Sequence, residues 1–186
     1  MTKQTLLLHA CCAPCSPHVI NLLREEFTVS VLFYNPNIHP EEEYRKREAE
    51  IIAFSEKEKF HLIVAEYSVA KWMESVAGLE NEPEGGERCR VCFRLRLERT
   101  ALEAAERGIV FFTTTLSVSP HKNVKTINEE GNRAAGIYGV KFREENFKKK
   151  DGFRESCRQA EKHGMYRQDY CGCVFSRKKH GKNARP

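Results

Sequence analysis

Eight cysteines dominate the chemistry open to this chain. They fall in groups: Cys11, Cys12 and Cys15; Cys89 and Cys92; Cys157 alone; Cys171 and Cys173. Cys12 and Cys15 have the spacing C-x-x-C, and so do Cys89 and Cys92. That spacing lets two sulfurs face one ion or cluster, with thiolate as the ligating form. The second pair stands at the expected entry to a helix, whose N-terminus favours the thiolate. Two such groups furnish four thiolates, which suits zinc and an iron–sulfur cluster alike. Structural zinc is the plainer reading. The number of cysteines exceeds what one closed zinc site uses, and that favours iron–sulfur.

Cys171-Gly172-Cys173 is a different device. Cysteines one residue apart either chelate a metal or close a strained disulfide of the labile, catalytic kind. Gly172 permits the backbone angles such a ring needs. Arg177, Lys178 and Lys179 follow, and a positive field lowers thiol pKa. Cys157 reads as an ordinary thiol. Aspartate occurs only at Asp151 and Asp169, and Asp169 lies two residues before Cys171. It could ligate iron, donate a proton, or cap a turn. Tyr166, Arg167 and Tyr170 could stack on an unstacked base or pack the last element onto the core. His9 reads as a hydrogen-bonded core histidine. His39 and His121, near strand ends, are better functional candidates. Thr113, Thr114 and Thr115 either line the same cleft or serve β-propensity.

The rest of the composition sets the compartment and the partner. The chain has 186 residues, 40% hydrophobic and 31% charged, enough for one domain with a core. Nothing approaches the ~18 consecutive apolar residues of a membrane helix, and residues 1–8 are too weakly apolar for a secretory signal. A cytoplasmic protein is expected, where thiols stay reduced and clustered cysteines act as metal or redox ligands. Residues 1–140 carry a net charge of −3 and residues 141–186 a net charge of +8. The basic quarter suits a polyanion such as nucleic acid, although the last ten residues alone read equally well as a solvated tail.

The elements that must position these residues alternate. Leu6, Leu7, Leu8 and Ala10 read as a buried strand running straight into the first cysteine group. Ser16-Pro17 reads as a helix start with Ser16 as cap. Val29–Phe33 and His61–Ala65 read as strands, separated by a charged helix over 41–59 with Tyr44, Ile51, Ile52 and Phe54 inward. Lys71–Ser75 reads as a short helix. Val91, Leu95, Leu102 and Ala105 put an apolar stripe on a helix that Gly108 ends. Ile109–Thr113 is a fourth strand, and Ser119-Pro120 reads as the next helix start. The pattern predicts an α/β Rossmann-like fold, a parallel sheet flanked by helices. Its α/β part spans residues 1–140 and carries Cys11, Cys12, Cys89 and Cys92. A basic helical and loop segment, 141–186, packs on it as part of one structural domain. In such sheets the ligand site lies beyond the carboxyl ends of the strands, which is where Cys11, Cys12 and Cys15 stand.

Longer blocks carry a family resemblance: Leu7 through Cys15, Tyr34 through Pro40, Glu87 through Leu97, Thr113-Thr114-Thr115-Leu116 with Ser119-Pro120-His121-Lys122, Asn146 through Lys150, and Tyr166 through Cys173. With these the chain resembles the cobalamin-independent epoxyqueuosine reductases of the QueH type. The resemblance implies deoxygenation of epoxyqueuosine to queuosine at the wobble position of tRNA, the last step of queuosine formation. It implies a nucleotide α-hydrolase-like fold and a [4Fe–4S] cluster on Cys11, Cys12, Cys89 and Cys92, with Cys15 able to replace one of the first two. It further implies a redox pair at Cys171 and Cys173, room for a second, mononuclear iron with Asp169 or spare thiolates as ligands, no cobalamin, and an electron donor as partner. The loop from Cys11 to Ser16 has no glycine, so ATP binding is not expected. A metal-free thiol–disulfide oxidoreductase and a zinc-stabilised RNA-binding module are the other readings of the same cysteines.

Overall fold

The computed structural model describes residues 3–180, so positions 181–186 of the basic tail lie outside the described residues. Strand β1 (Thr5–His9) carries Leu6, Leu7 and Leu8, all fully buried. A continuous apolar run is what a central parallel strand needs, because helices cover both its faces. A 3-10 turn (Ala13–Cys15) leads directly into α1 (Ser16–Arg24). Then come β2 (Thr28–Phe33), α2 (Glu41–Glu58), β3 (His61–Val64), α3 (Val69–Ser75) and α4 (Glu87–Glu106). β4 (Phe111–Thr114), a second 3-10 turn (Thr115–Val118), α5 (Val124–Tyr138) and β5 (Lys141–Phe142) follow. α6 (Gly152–Lys162) and α7 (Val174–His180) complete the chain.

The sheet order is β3-β2-β1-β4-β5 and every pairing is parallel. The chain moves outward from β1 through β2 to β3, then returns to the other side of β1 as β4. The carboxyl end of β1 is therefore the point where the strand order reverses, the usual ligand crevice of open α/β sheets. Alternate side chains of β1 feed two cores. Leu6 and Leu8 pack with Val19, Ile20, Phe33 and Ile51. Leu7 packs on the opposite face with Leu32, Phe93, Leu97 and Phe112. The fold is the Rossmann-like sheet that the alternation of elements predicts.

Four local expectations differ. Ser16 is not the cap of α1: the preceding turn makes Cys15 the cap, and the Ser16 hydroxyl donates to the Cys12 carbonyl at 2.9 Å. Ser119-Pro120 does not start a helix. Asn123 does, its Oδ1 accepting from the amides of Lys125 and Thr126. On α2, Ile52 points outward. On α4 the buried apolar stripe is Phe93, Leu97, Ala101 and Ala104, offset from the expected one. Arg88, Arg96 and Thr100 are buried on the same helix, and their polarity hides the true period. The segment after residue 140 supplies β5 to the sheet, and α6 packs on α1 and the cysteine turn.

Helices α4 and α5 are joined by a buried carboxylate. Glu130, 2% exposed, accepts from Arg90 Nη1 at 2.9 Å and Arg94 Nε at 2.8 Å. Burial pushes its pKa up, but the two guanidiniums prevail and hold it below the usual carboxylate value. Its contribution is then full above the ordinary value of 4.5 and is lost as pH falls through the depressed folded value. Glu130→Gln should lower unfolding free energy at pH 7 by about 2 kcal/mol. In urea titrations the gap from wild type should close below pH 4.5.

Candidate metal centre

The turn after β1 gathers three sulfurs. Those of Cys11, Cys12 and Cys15 all lie within 4.8 Å of one another, and the Cys11 and Cys12 sulfurs are 3.7 Å apart. Cys12 is buried and the other two are half-buried. The Thr115 hydroxyl accepts from the Cys11 amide at 3.0 Å and donates to the Cys11 sulfur at 3.4 Å. Gln168 Nε2 donates to the Cys12 sulfur at 3.1 Å, and Asn35 Nδ2 fixes the end of β1 through the Ala10 carbonyl at 2.9 Å. Hydrogen bonds from Cys12 and Cys15 hold the Cys11 thiol well below the ordinary thiol value and outweigh its burial. Bonds with Cys11 and Cys12 push Cys15 up, and the bond with Cys11 does the same for Cys12. The group therefore holds one thiolate readily and resists forming more unless a cation arrives.

A second sulfur group sits at the start of α4. Cys89, half-buried, accepts from the Gly85 amide at 3.2 Å, and Cys92 is buried with Cys173, Trp72 and Val76. Burial pushes both Cys89 and Cys92 up. Cys171 faces the cleft, whereas Cys173 lies in the small core with Cys92. All eight cysteines are free thiols. Gly172 between them has φ 112°, and a Cβ there would stand 3.0 Å from Ile38 Cγ1 and 3.1 Å from Arg47 Nη1. Only glycine satisfies both demands. Buried Arg47, paired with Glu43 at 2.7 Å, reaches the carbonyls of Tyr170 and Cys171 at 3.4 Å. Helix α2 thus clamps the Cys-Gly-Cys segment onto the site.

Between the groups lies Arg96, 1% exposed. Its Nε donates to the Cys92 carbonyl at 3.0 Å and its Nη2 has no partner. Burial works against its charge, but Cys92, Cys171, Cys11 and Cys89 together raise its pKa. Lys122 behaves the same way, with burial opposed and overcome by Cys171, Cys11 and Cys15. The indole Nε1 of Trp72 is also buried without a partner. Several thiols beside orphaned buried donors fit a thiolate-bound, negatively charged metal–sulfur group, whose sulfurs would accept those donors.

A cleft of about 550 Å³ opens over the turn, lined by Cys11, Cys15, Arg96, Lys122, Asp169 and Cys171 among others. Asp169 and His121 are exposed on it, and Cys157 lines it from α6, half-buried. His39 does not reach it: Nδ1 bonds the Asn37 carbonyl at 2.8 Å and the ring lies against Trp72. His9 is enclosed between Thr114 Oγ1 at 2.8 Å and the Tyr34 carbonyl at 3.1 Å. Burial takes its pKa down to about 4, so it is a neutral core histidine as its sequence context predicts. Thr113 bonds the Arg143 carbonyl at 2.8 Å. Tyr166 and Tyr170 are half-buried, with hydroxyls donating to Glu43 at 3.2 Å and to the His39 carbonyl at 2.6 Å, and Tyr170 also lines the cleft.

A family model described as Epoxyqueuosine reductase QueH matches residues 6–179. The chain belongs to the epoxyqueuosine reductase QueH family. Curated relatives of that name include proteins from Acinetobacter baylyi, 44% identical over 92% of this chain and 79% of the relative, and Streptococcus pyogenes serotype M1, 40% identical over 96% and 72%. One from Thermotoga maritima is 40% identical over 97% of this chain and 96% of its own. Among solved structures, the U34-tRNA thiolase NcsA from Methanococcus maripaludis with its [4Fe-4S] cluster superposes with a TM-score of 0.59 at 13% identity. The alignment covers 95% of this chain and 62% of that one, and the likeness is one of fold.

In this QueH-family chain the cysteines were legible in the sequence and the cations that face them were not. Arg96 follows Cys92 by four residues and so shares its helix face, which is the one signal available for it. Arg47, Lys122 and Gln168 reach the site from separate elements; Lys122 and Gln168 stand in blocks that carry the family resemblance, but no spacing ties any of the three to the cysteines. Arg96→Met should leave the site short of positive charge and reduce metal retained after anaerobic reconstitution several-fold, while Arg96→Lys keeps most of it. Metal content per folded chain, with folding checked by circular dichroism, decides between them.

Proposed function

We propose that this chain reduces epoxyqueuosine in tRNA to queuosine at a cobalamin-independent iron–sulfur centre. One observation supports this most: three convergent sulfurs occupy the strand-order switch point in a chain of the epoxyqueuosine reductase QueH family. Cys11, Cys12, Cys89 and Cys92 are the proposed ligands of a [4Fe–4S] cluster, with Cys15 as the alternative to Cys11 or Cys12. Asp169 or spare thiolates would hold a second, mononuclear iron. When bound, the metal centre supplies electrons singly and Lewis acidity for the epoxide oxygen.

The net reaction takes two electrons and two protons, breaks both C–O bonds of the epoxide, and releases an alkene and water. Cys171 and Cys173 are a dithiol that can give two electrons by closing a disulfide, and an external donor must restore it. Asp169 is exposed on the cleft, and its proposed role is either to ligate iron or to hand a proton to the leaving oxygen. Arg96 and Lys122 stay protonated beside the thiolates and hold positive charge where negative charge develops. A nucleotide of tRNA must be splayed out to reach this depth. Among the described residues no helix is long and apolar enough to cross a membrane.

Protein purified without oxygen should contain about four irons and four acid-labile sulfides per chain. A clear excess of iron over sulfide would mark the mononuclear site. One zinc without sulfide, persisting after anaerobic reconstitution, would overturn the reductase reading in favour of an RNA-binding module. Cys89→Ser should abolish turnover of tRNA bearing epoxyqueuosine; near-normal turnover would remove Cys89 from the ligand set.

A further inference from the structure

The aromatic residue left open at the mouth of the cleft is Phe153. It is 39% exposed and lines the same cleft as Cys11, Cys15 and Cys171. Its helix, α6, buries Gly152, Ser156 and Ala160 along one edge. Phe153 stands one position round from that edge, where its ring meets solvent rather than core. Tyr170 lines the cleft as well, but Arg47 lies over its ring at 5.3 Å and Lys46 lies over the Tyr166 ring at 3.2 Å, so neither ring is open in this way.

The loop before α6 is tightly constrained. Lys150 and Asp151 both lie in the left-handed region, at φ 51° and 61°. Non-glycine residues are uncommon in this region, and folds tend to retain such strain at functional sites. Gly152 has no room for a side chain, since a Cβ would fall 1.8 Å from the Phe147 carbonyl oxygen. Lys148 Nζ donates to the Lys122 carbonyl at 2.9 Å and ties the loop to the cleft wall. Lys149 and Lys150 are exposed. The adjacent acid, Asp151, pairs with Arg154 at 3.9 Å, which leaves both lysines without an ion pair among the described residues.

An open ring at the cleft edge, next to two unpaired cations on a fixed backbone, is a stacking platform beside a phosphate track. We propose that Phe153 stacks on an unpaired base of the tRNA anticodon loop, while Lys149 and Lys150 contact the phosphates of the same loop. The proposal rests on the reading of tRNA as substrate and names the surface that receives it. Apolar stacking and cationic contact together fit a single-stranded RNA loop. A double helix presents no free base face.

The test uses metal-loaded protein and an unmodified anticodon stem–loop RNA, followed by fluorescence anisotropy at several salt concentrations. Phe153→Ala should weaken binding about tenfold, and Phe153→Trp should restore it. Phe153 is 39% exposed and partly packed, so circular dichroism of each variant confirms folding before binding is compared. Lys149→Ala and Lys150→Ala should each reduce the slope of log Kd against log salt by roughly 0.7. Wild-type affinity in Phe153→Ala overturns the platform, and an unchanged slope in both lysine variants overturns the track. If binding depends on Phe153 but wild type leaves tRNA-borne epoxyqueuosine unreduced, the reductase reading fails and the docking surface stands. If wild type does not bind the stem–loop at all, the docking surface is overturned, and turnover of tRNA-borne epoxyqueuosine decides the reductase reading separately.

Discussion

Thiolates gathered in a buried place repel one another, and the arrangement of this molecule follows from how that repulsion is met. Removing an ion from water costs several kcal/mol even after relaxation, so several sulfurs cannot ionise together without cations nearby. The chain brings those cations from separate elements: Arg96 from α4, Arg47 from α2, and Lys122 from the loop before α5. Each is shielded from water to some degree, and each feels at least one cysteine. Arg47 also pairs with Glu43, whereas Arg96 and Lys122 have no carboxylate partner among the described residues, and a buried, unpaired cation is as costly as a buried thiolate. The cysteines and the basic residues therefore stabilise one another, and a bound metal would add to a charge balance already begun.

That mutual dependence explains which parts of the site were legible. Central strands announce themselves, since Leu6-Leu7-Leu8 has no polar residue to bury and no alternative use. The cysteines announce themselves by type and spacing. The cations do not, because a buried arginine on α4 looks like the surface charge that every helix carries. Arg96 and Arg88 were the residues that displaced the expected apolar stripe. The helix was found, its inward face was not, and the reason lies in the charge requirement of the site. Ser16 and Ser119 misled for a simpler reason: 3-10 turns precede both, and these delay or advance the helix beyond where a Ser-Pro signal places it.

The carboxyl-terminal quarter shows the same economy of placement. Its tyrosines looked like candidates for stacking because aromatic residues beside arginine suit nucleic acid. In the structure they fasten the segment to α2 through Glu43 and to the loop before it through the His39 carbonyl, and so hold Cys171 at the cleft. Phe153 carried no such signal. It belongs to a helix whose buried edge is made of small residues, Gly152, Ser156 and Ala160, which let α6 approach the cysteine turn closely. Close approach by small side chains brings the neighbouring large one to the rim.

The turn after β1 also shows why sulfur can stand where related folds place a phosphate. Binding an anion at this point requires free backbone amides at a helix N-terminus and glycines that let the ligand come close. Here Pro14 has no amide hydrogen, Ala13 and Pro14 are buried, and the Cys11 amide is bonded to Thr115. Two amides that a phosphate loop would offer are therefore not on offer here, and no glycine lets an anion approach the backbone closely. What the helix N-terminus and its surrounding cations can still stabilise is negative charge built into the chain itself. Three cysteine sulfurs on that turn meet the condition, with the Cys11 thiolate held by its neighbours. The same electrostatic position that selects a phosphate in a glycine-rich loop thus selects thiolate in a cysteine-rich one.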